Sequence, residues 1–163
     1  MKLPIEHQKE GEFVGVLLKD IDKTNWTKCI FLTTDPDNNH YLLEKFVASN
    51  AVSIAQSKIE RGWITKAIYD GDTIVGFAMY GYSEENDFFE ICRLMIDHKF
   101  QRQGFGKKAL SLIIKEMSKN KQCSEIYISY EPENYFAKKL YEEFGFENTG
   151  KILDDEMLYC LKI

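Results

Sequence analysis

The chain has 163 residues, of which 44% are hydrophobic and 29% charged, a balance typical of a soluble globular protein with one core. Its net charge of −5 argues against nucleic acid as the main partner, because phosphate binding needs a basic surface. The same acidity, with an isoelectric point of about 5.3, is compatible with a cationic substrate.

Neither the first residues nor the cysteines indicate export or a membrane. Residues 1–7 lack the apolar core of a secretory signal, and the apolar stretches elsewhere are too short and too charged to span a bilayer. The cysteines show no CxxC spacing, which indicates buried free thiols in a reducing compartment rather than zinc ligands or disulfides; they are Cys29, Cys92, Cys123 and Cys160. We therefore expect one cytoplasmic domain over residues 1–163, without a metal.

The first half of the chain predicts a strand, a helical region and a meander. Residues 14–19 form the first predicted strand, and residues 25–57 show helical spacing in two runs separated by Asp35-Pro36-Asp37. The β-branched and aromatic runs at 64–69 and 73–82 flank the turn signal Asp70-Gly71-Asp72, which predicts a hairpin. Residues 88–96 form the next predicted strand.

The second half alternates helices and strands. A helix is predicted over 104–119 from apolar residues at helical spacing, followed by a buried strand at 125–130. Asn134 is a plausible N-cap for a short helix that Gly145 ends, and strands follow at 146–151 and 157–163. The order β-α-α-β-β-β-α-β-α-β-β predicts a mixed α/β domain in which strands 88–96 and 125–130 are parallel across a helical crossover.

The strongest local signal is the turn at residues 101–108, QRQGFGKK, between a predicted strand and an amphipathic helix. Gly104 and Gly106 let the backbone turn tightly and approach a ligand without a Cβ in the way. The first-turn N–H groups and the helix dipole predict a pyrophosphate site, and Lys107 and Lys108 could add charge. Two turn glycines in a plain loop are the alternative. The pattern lacks the GK[ST] of a P-loop and the third glycine of a dinucleotide fingerprint.

This turn and a second block downstream share a known pattern. Gln101, Gly104 and Gly106 fit the motif Q/R-x-x-G-x-G/A. The residues that fit N-x-x-A-x-x-L-Y-x-x-x-G-F are Asn134, Ala137, Leu140, Tyr141, Gly145 and Phe146. Together the two blocks resemble the GNAT superfamily of acetyl-CoA-dependent N-acetyltransferases, by motif over residues 64–163 and by element order elsewhere. The resemblance implies an α/β fold with a central, partly splayed mixed sheet flanked by helices.

Two further segments are similar to one subgroup, the bacterial spermine/spermidine acetyltransferases. They are residues 46–56, FVASNAVSIAQ, and residues 77–81, FAMYG. Ordinary helix and strand packing also accounts for both segments.

The resemblance implies a cosubstrate site for acetyl-CoA between the two parallel strands, where a strand bulge would direct an N–H at the thioester oxygen. The pantetheine arm is expected to pair with the strand backbone, and the pyrophosphate to lie on the turn. The cofactor-binding residues so implied are Leu94, Met95, Ile96, Gln101, Arg102, Gln103, Gly104, Phe105, Gly106, Lys107, Asn134 and Tyr141. For Asn134, a simple N-cap is the alternative.

Tyr141 is the candidate general acid, because a phenol with a pKa near ~10 can protonate a departing thiolate near ~8.5. The alternative is a core aromatic. Glu90 is the candidate base, since partial burial in an apolar strand would raise its pKa, and it is predicted to share a face with Cys92 and Leu94. Glu90 could instead attract only the cation, or face water. The better-known polyamine enzymes tend to carry a carboxylate where Cys92 stands, and we interpret Cys92 as packing rather than a nucleophile.

Three carboxylates precede the strand at 88–96 and are predicted to border the acceptor pocket together with Glu90; they are Glu84, Glu85 and Asp87. A solvated acidic loop is the alternative. We expect direct transfer from acetyl-CoA to a primary amine in a ternary complex, with a polyamine as the leading acceptor. Another amine (an aminoglycoside, an amino acid or a protein N-terminus) and a non-catalytic CoA-binding module remain alternatives. The superfamily resemblance also allows a homodimer.

Overall fold

The computed structural model describes residues 15–37 and 49–163, which contain seven strands, four α-helices and one 3₁₀ turn. The elements are β1 Val16–Asp20, α1 Trp26–Ile30, α2 Asn50–Ile59, β2 Trp63–Asp70, β3 Thr73–Ser83, β4 Phe88–Ile96, the 3₁₀ turn His98–Phe100, α3 Phe105–Met117, β5 Glu125–Tyr130, α4 Tyr135–Glu143, β6 Glu147–Leu153 and β7 Glu156–Lys162.

The predicted element order is confirmed, with bounds within two residues for most elements. β4 and β5 have the predicted limits. The helical region at 25–57 contains two short helices, α1 and α2, and the apolar run with Leu42, Phe46 and Val47 lies outside the described residues. The predicted hairpin turn between β2 and β3 is present, with Gly71 at φ +58°.

All seven strands form one mixed sheet in the order β1-β2-β3-β4-β5-β7-β6. Neighbouring strands are antiparallel except β4 and β5, which are parallel because α3 carries the chain across between them. The mixed α/β fold with a central sheet is thereby confirmed.

Helices cover both faces of the sheet. On the α3–α4 face, the main core forms from alternate β5 residues (Ile126, Ile128 and Tyr130) and the apolar stripe of α3. On the α1–α2 face, a second cluster includes Cys29, Phe77 and Met95, with Ile54 of α2 packed against it. The chain therefore forms three layers with the sheet in the middle.

The β3–β4 contact is close. A Cβ on Gly76 of β3 would lie 2.4 Å from the Met95 carbonyl oxygen of β4 and 2.8 Å from Ile96 Cδ1. Only glycine therefore fits at position 76 without moving the β4 backbone.

All four cysteines are free; Cys29 and Cys123 are buried, whereas Cys92 and Cys160 are half-buried. The prediction of buried free thiols thus holds fully for two of them. None of the helices within residues 15–37 and 49–163 is long and apolar enough to cross a membrane.

Candidate active site

The site forms where β4 and β5 part. Along these two wholly described strands a single pair of residues, Glu90 and Tyr127, is in register. Beyond that pair, residues 92–96 of β4 and 128–130 of β5 are not paired with each other, and we call the space between them the β4–β5 opening. The predicted splay of the parallel strands is therefore present.

A β-bulge lies at the start of the β4–β5 opening. Met79 of β3 is opposite Arg93, whereas the next residue, Tyr80, is opposite Ile91, so Cys92 is the extra residue of β4. A bulge locally disrupts the ladder and re-aims the backbone. The family resemblance implied a bulge in this strand, and it lies at Cys92.

The bulge changes which side chains share a face. Phe89 and Ile91 pack on the α3–α4 core, and so does Leu94, whereas Cys92 packs with the cluster on the α1–α2 face. The prediction that Glu90 shares a face with both Cys92 and Leu94 is therefore wrong for Leu94. Strict alternation fails because the extra residue shifts every later side chain by one position.

The N-terminus of α3 lies beside the C-terminal end of β4, next to the opening. Gly104 precedes the helix with a left-handed φ of +82°, and no side chain caps the first turn. By contrast, the Asn134 side chain accepts a hydrogen bond from the Ala137 N–H at 3.0 Å at the start of α4, which confirms the predicted N-cap. A Cβ on Gly106 would lie 3.7 Å from Ile96 Cγ1, so position 106 faces the end of β4.

The turn before α3 is held by its own side chains. Gln101 Nε2 donates to the carbonyl oxygens of Ile96 and Thr34, each at 3.1 Å, and Gln103 Nε2 donates to the Lys99 carbonyl. Arg102 has a φ of +62°, which is uncommon for a residue with a side chain. These contacts position the turn, so Gln101 and Gln103 have structural bonds in addition to the cofactor-binding role predicted for them.

Some predicted cofactor residues offer mainly their backbone. Phe105 and Met95 are buried in the two cores, and Leu94 and Ile96 are partly buried against the α3–α4 core. Lys107 forms an ion pair of 3.0 Å with Glu143 of α4. The buried side chains of β4 and Phe105 thus leave mainly their backbone groups to a ligand, whereas the turn residues Gln101, Arg102 and Gln103 are exposed.

Tyr141 packs inside the main core. Its side chain is 8% exposed, and its ring contacts those of Tyr130 and Phe146 at centroid distances of 5.8 and 6.0 Å. Burial, with a smaller effect from the charge of Glu156, raises the pKa of the Tyr141 phenol well above its ordinary value. The phenol therefore keeps its proton at neutral pH.

Glu90 is buried, with 6% exposure, at the one β4 position that is in register with β5. Burial raises the pKa of its carboxyl, although hydrogen bonds from Asn86 and Ser83 partly oppose this; Asn86 Nδ2 lies 3.1 Å from Glu90 Oε1. The buried environment that the sequence predicted for Glu90 is therefore present. A carboxylate with a raised pKa is a stronger base than an exposed one.

Cys92 remains a thiol. Burial raises its pKa to about 11, and nearby carboxylates add to the rise while Arg93 opposes it. Arg93 Nη1 donates to the Cys92 carbonyl oxygen at 2.7 Å. Because the thiolate is the nucleophilic form, this environment supports the interpretation of Cys92 as a packing residue.

The predicted acidic residues Glu84, Glu85 and Asp87 lie in the exposed β3–β4 turn. Asp87 has a φ of +59°, and its carboxylate accepts a hydrogen bond from the Tyr82 hydroxyl. Asp87 therefore has a structural role in the turn.

Sequence reasoning missed two polar residues beside the opening, Ser129 of β5 and Glu156 of β7. Ser129 Oγ donates to Glu156 Oε2 at 2.5 Å. The available signal was weak: Glu156 is a charged residue at the start of a strand, which normally indicates a solvent-facing position. Only the pairing of β5 with β7 brings the two residues together.

Comparison with known proteins agrees with this geometry. The profile of the Acetyltransferase (GNAT) family matches residues 24–146. A curated relative, the spermine/spermidine N(1)-acetyltransferase of Bacillus subtilis (strain 168), is 39% identical over 90 residues, which cover 52% of this chain and 59% of that protein. The match thus spans less than two thirds of the relative's length.

Two solved structures share the fold at low sequence identity. The PaiA N-acetyltransferase of Thermoplasma acidophilum in complex with coenzyme A superposes with a TM-score of 0.69 at 14% identity, covering 91% of this chain and 99% of that one. A GNAT family acetyltransferase of Elizabethkingia anophelis with acetyl-CoA bound gives 0.63 at 18% identity, covering 91% and 98%. The glycine turn and the splayed parallel strands agree with this fold. The family match over residues 24–146 shows that this chain belongs to the GNAT acetyltransferase family.

Proposed function

We propose that this protein is an N-acetyltransferase that transfers the acetyl group of acetyl-CoA directly to a primary amine of a small cationic acceptor, with spermidine or spermine as the leading candidates. The observation that carries the proposal is the β4–β5 opening, which begins at a bulge and has an uncapped helix N-terminus below it. Family membership supports the chemistry.

The residues around the turn fit the CoA part of the cosubstrate. Gly106 has space that a larger side chain would fill, and the first-turn N–H groups of the 13-residue helix α3 have no side-chain cap. Such a helix start favours a phosphate group through its N–H groups and its dipole. The diverging backbone at residues 94–96 would pair with the pantetheine arm. When bound there, acetyl-CoA supplies an activated acetyl thioester.

The acid and base roles go to Tyr141 and Glu90. An ammonium group is not nucleophilic, so the acceptor must lose a proton, and the Glu90 carboxylate with its raised pKa is suited to take it directly or through water. The protonated phenol of Tyr141 then gives a proton to the departing sulfur. A deprotonated carboxylate as base and a protonated phenol as acid in one site are the usual arrangement for acid–base catalysis.

Three observations favour a polyamine acceptor. The relative from Bacillus subtilis is named for spermine and spermidine, and the net charge of −5 attracts polycations. In addition, Glu84, Glu85 and Asp87 lie exposed in the turn that leads into β4, where they could attract further ammonium groups.

The test is thiol release from acetyl-CoA with spermine, spermidine, putrescine, a simple monoamine, an aminoglycoside and a short peptide. We expect spermine and spermidine to exceed the monoamine mainly through a lower KM. This advantage should shrink as salt rises, because a Debye length of ~8 Å at physiological ionic strength screens the outer carboxylates. Preference for the peptide or the aminoglycoside would overturn the polyamine assignment alone. Absence of thiol release with every amine would overturn the enzymatic assignment.

A further inference from the structure

Glu156 lies at the edge of the β4–β5 opening, at the first position of β7. The next residue, Met157, is the last partner of β5, opposite Tyr130, so Glu156 lies just beyond the end of the β5–β7 ladder. Its carboxylate is held by the Ser129 hydroxyl at 2.5 Å. The hydrogen bond fixes the direction of a side chain that is only half-buried.

Register places this carboxylate opposite the bulge. Glu90 is level with Tyr127, and parallel strands advance together, so Ser129 is level with Cys92 across the opening. Ile128 and Tyr130 pack on the α3–α4 core, hence Ser129 between them points to the α1–α2 face. Met157 and Leu161 also pack on the α3–α4 core, so Glu156 points to the same face as Ser129. Glu90 and Cys92 share this face.

The charge of Glu156 acts on groups from three sides of the opening. It contributes, after burial, to the raised pKa of Tyr141 on α4 and of Glu131 after β5, and it also contributes to that of Cys92 on β4. Among residues 15–37 and 49–163, no lysine, arginine or histidine forms an ion pair with it. Glu156 is therefore an oriented negative charge at the edge of the opening that pairs with no cation among these residues.

We propose that Glu156 is a substrate-binding residue that pairs with an ammonium group of the acceptor beside the opening, and that Ser129 orients its carboxylate. The inference rests on the proposed function and adds the residue that places the acceptor next to the acetyl group. It differs from a role for the exposed β3–β4 turn, because Glu156 approaches the opening from the β7 side, across from Glu90.

The test compares Glu156→Gln with wild type in the full chain, using the best acceptor from the amine panel. The amide keeps an oxygen for the Ser129 hydrogen bond but removes the charge. We expect the acceptor KM to rise about 10-fold, as loss of a charge-assisted contact typically causes. The kcat should change less than KM, and the Kd of acetyl-CoA should not change. Glu156→Asp, which keeps the charge on a shorter side chain, should give an intermediate KM.

Asp155→Asn is the matched control. It removes one unit of charge from the neighbouring exposed position, and asparagine tolerates the left-handed φ of +66° there. We expect its KM to stay near the wild-type value. Equal increases for Glu156→Gln and Asp155→Asn would show only general electrostatic attraction and would overturn the proposal, as would an unchanged KM in Glu156→Gln.

Failure of this inference is distinguishable from failure of the proposed function. If another amine replaces polyamines in the panel, the same variants are measured with that amine, since it too is a cation in solution. If no amine turns over, binding of spermidine to the CoA-loaded protein is measured by calorimetry. Weaker binding to Glu156→Gln than to Asp155→Asn would support the role of Glu156, and absence of binding to wild type would overturn it.

Discussion

The two neighbours of β4 contact it in different ways. Antiparallel β3 is paired with β4 from Gly76–Ile96 to Ser83–Phe88, with one bulge, whereas parallel β5 is in register with it only at Glu90–Tyr127. The β3–β4 contact is so close that a Cβ on Gly76 does not fit. The β4–β5 contact is open over the last residues of both strands.

This difference separates stability from function within one strand. Residues of β4 that face β3 fix the backbone, including the bulge at Cys92, while the same backbone on its other edge has no strand partner beyond Glu90. Backbone groups beside such an opening are available to a ligand. We therefore expect substitutions at the β3–β4 contact to reduce stability, and substitutions around the β4–β5 opening to reduce turnover or ligand affinity while the fold persists.

The largest effect is expected for Tyr141→Phe. The ring contacts with Tyr130 and Phe146 are kept, and no hydrogen bond from another described residue reaches the phenol oxygen, so thermal unfolding should change little. Loss of a general acid typically costs ~10²–10⁴-fold in rate, and we expect kcat to fall within that range. The raised pKa of Tyr141 also predicts that wild type shows no loss of activity from its ionisation at mildly alkaline pH.

The measurement is kcat by thiol release across the pH range, with the Kd of acetyl-CoA by calorimetry. Leu140→Met, on the same helix and also packed against the core, serves as the control for changed packing. Wild-type turnover in Tyr141→Phe would show that another group protonates the sulfur and that Tyr141 is structural.

The open side of β4 was partly predictable from sequence. Gly104 and Gly106 precede an apolar helix, and Asn134 precedes another, so local rules located both helix starts. The parallel relation of β4 and β5 followed from the crossover helix.

The bulge between β3 and β4 and the position of Glu156 beyond β5 could not be predicted in this way. An extra residue at Cys92 leaves no trace in the alternation of β4, since Cys92, Leu94 and Met95 are all compatible with either face. Glu156 is held by a side-chain hydrogen bond from Ser129, which lies 27 positions away in sequence. Such contacts depend on register, which tertiary packing decides.

Glu90→Gln tests the position at which β4 is still in register with β5, at the start of the β4–β5 opening. If Glu90 is the base, the amide cannot accept the proton, and we expect turnover to fall by about 10²-fold. The acidic limb of the wild-type pH–rate profile should disappear in the variant. A raised acceptor KM with the acidic limb retained would show instead that Glu90 only attracts the cation.

Although Glu90→Gln should lower turnover, we expect it to raise stability at neutral pH. The pKa of Glu90 is raised in the folded state by burial, so its contribution to stability is present below its unfolded pKa and is lost as pH rises through the folded pKa. Gln carries no charge to bury and can still accept the Asn86 hydrogen bond. We therefore expect Glu90→Gln to gain stability relative to wild type as pH rises from about 4 to 8, by thermal unfolding at each pH. A constant difference across this range would contradict the buried, raised pKa.

Gly76→Ala tests the close contact between β3 and β4. The added methyl group would lie 2.4 Å from the Met95 carbonyl oxygen, so the two strands must move apart. Overpacking of this kind typically costs about 1–3 kcal/mol, and we expect a clear fall in the free energy of unfolding by urea titration. Unchanged stability would show that the β3–β4 contact yields more easily than the geometry indicates.

Gly106 offers the matched test on the open side. A Cβ there meets only Ile96 Cγ1 at 3.7 Å, an ordinary contact, and position 106 lies in the first turn of α3, where alanine and leucine both favour the helix. Gly106→Ala should therefore keep both stability and affinity, as the Gly or Ala of the family motif suggests. Gly106→Leu should keep the fold but extend over the first-turn N–H groups and weaken acetyl-CoA binding about 10-fold, or 1.4 kcal/mol. Calorimetry with acetyl-CoA and circular dichroism check the two variants together. Equal affinity in Gly106→Leu and Gly106→Ala would show that the cosubstrate does not pass over position 106, and the pyrophosphate would then have to be placed elsewhere along the opening.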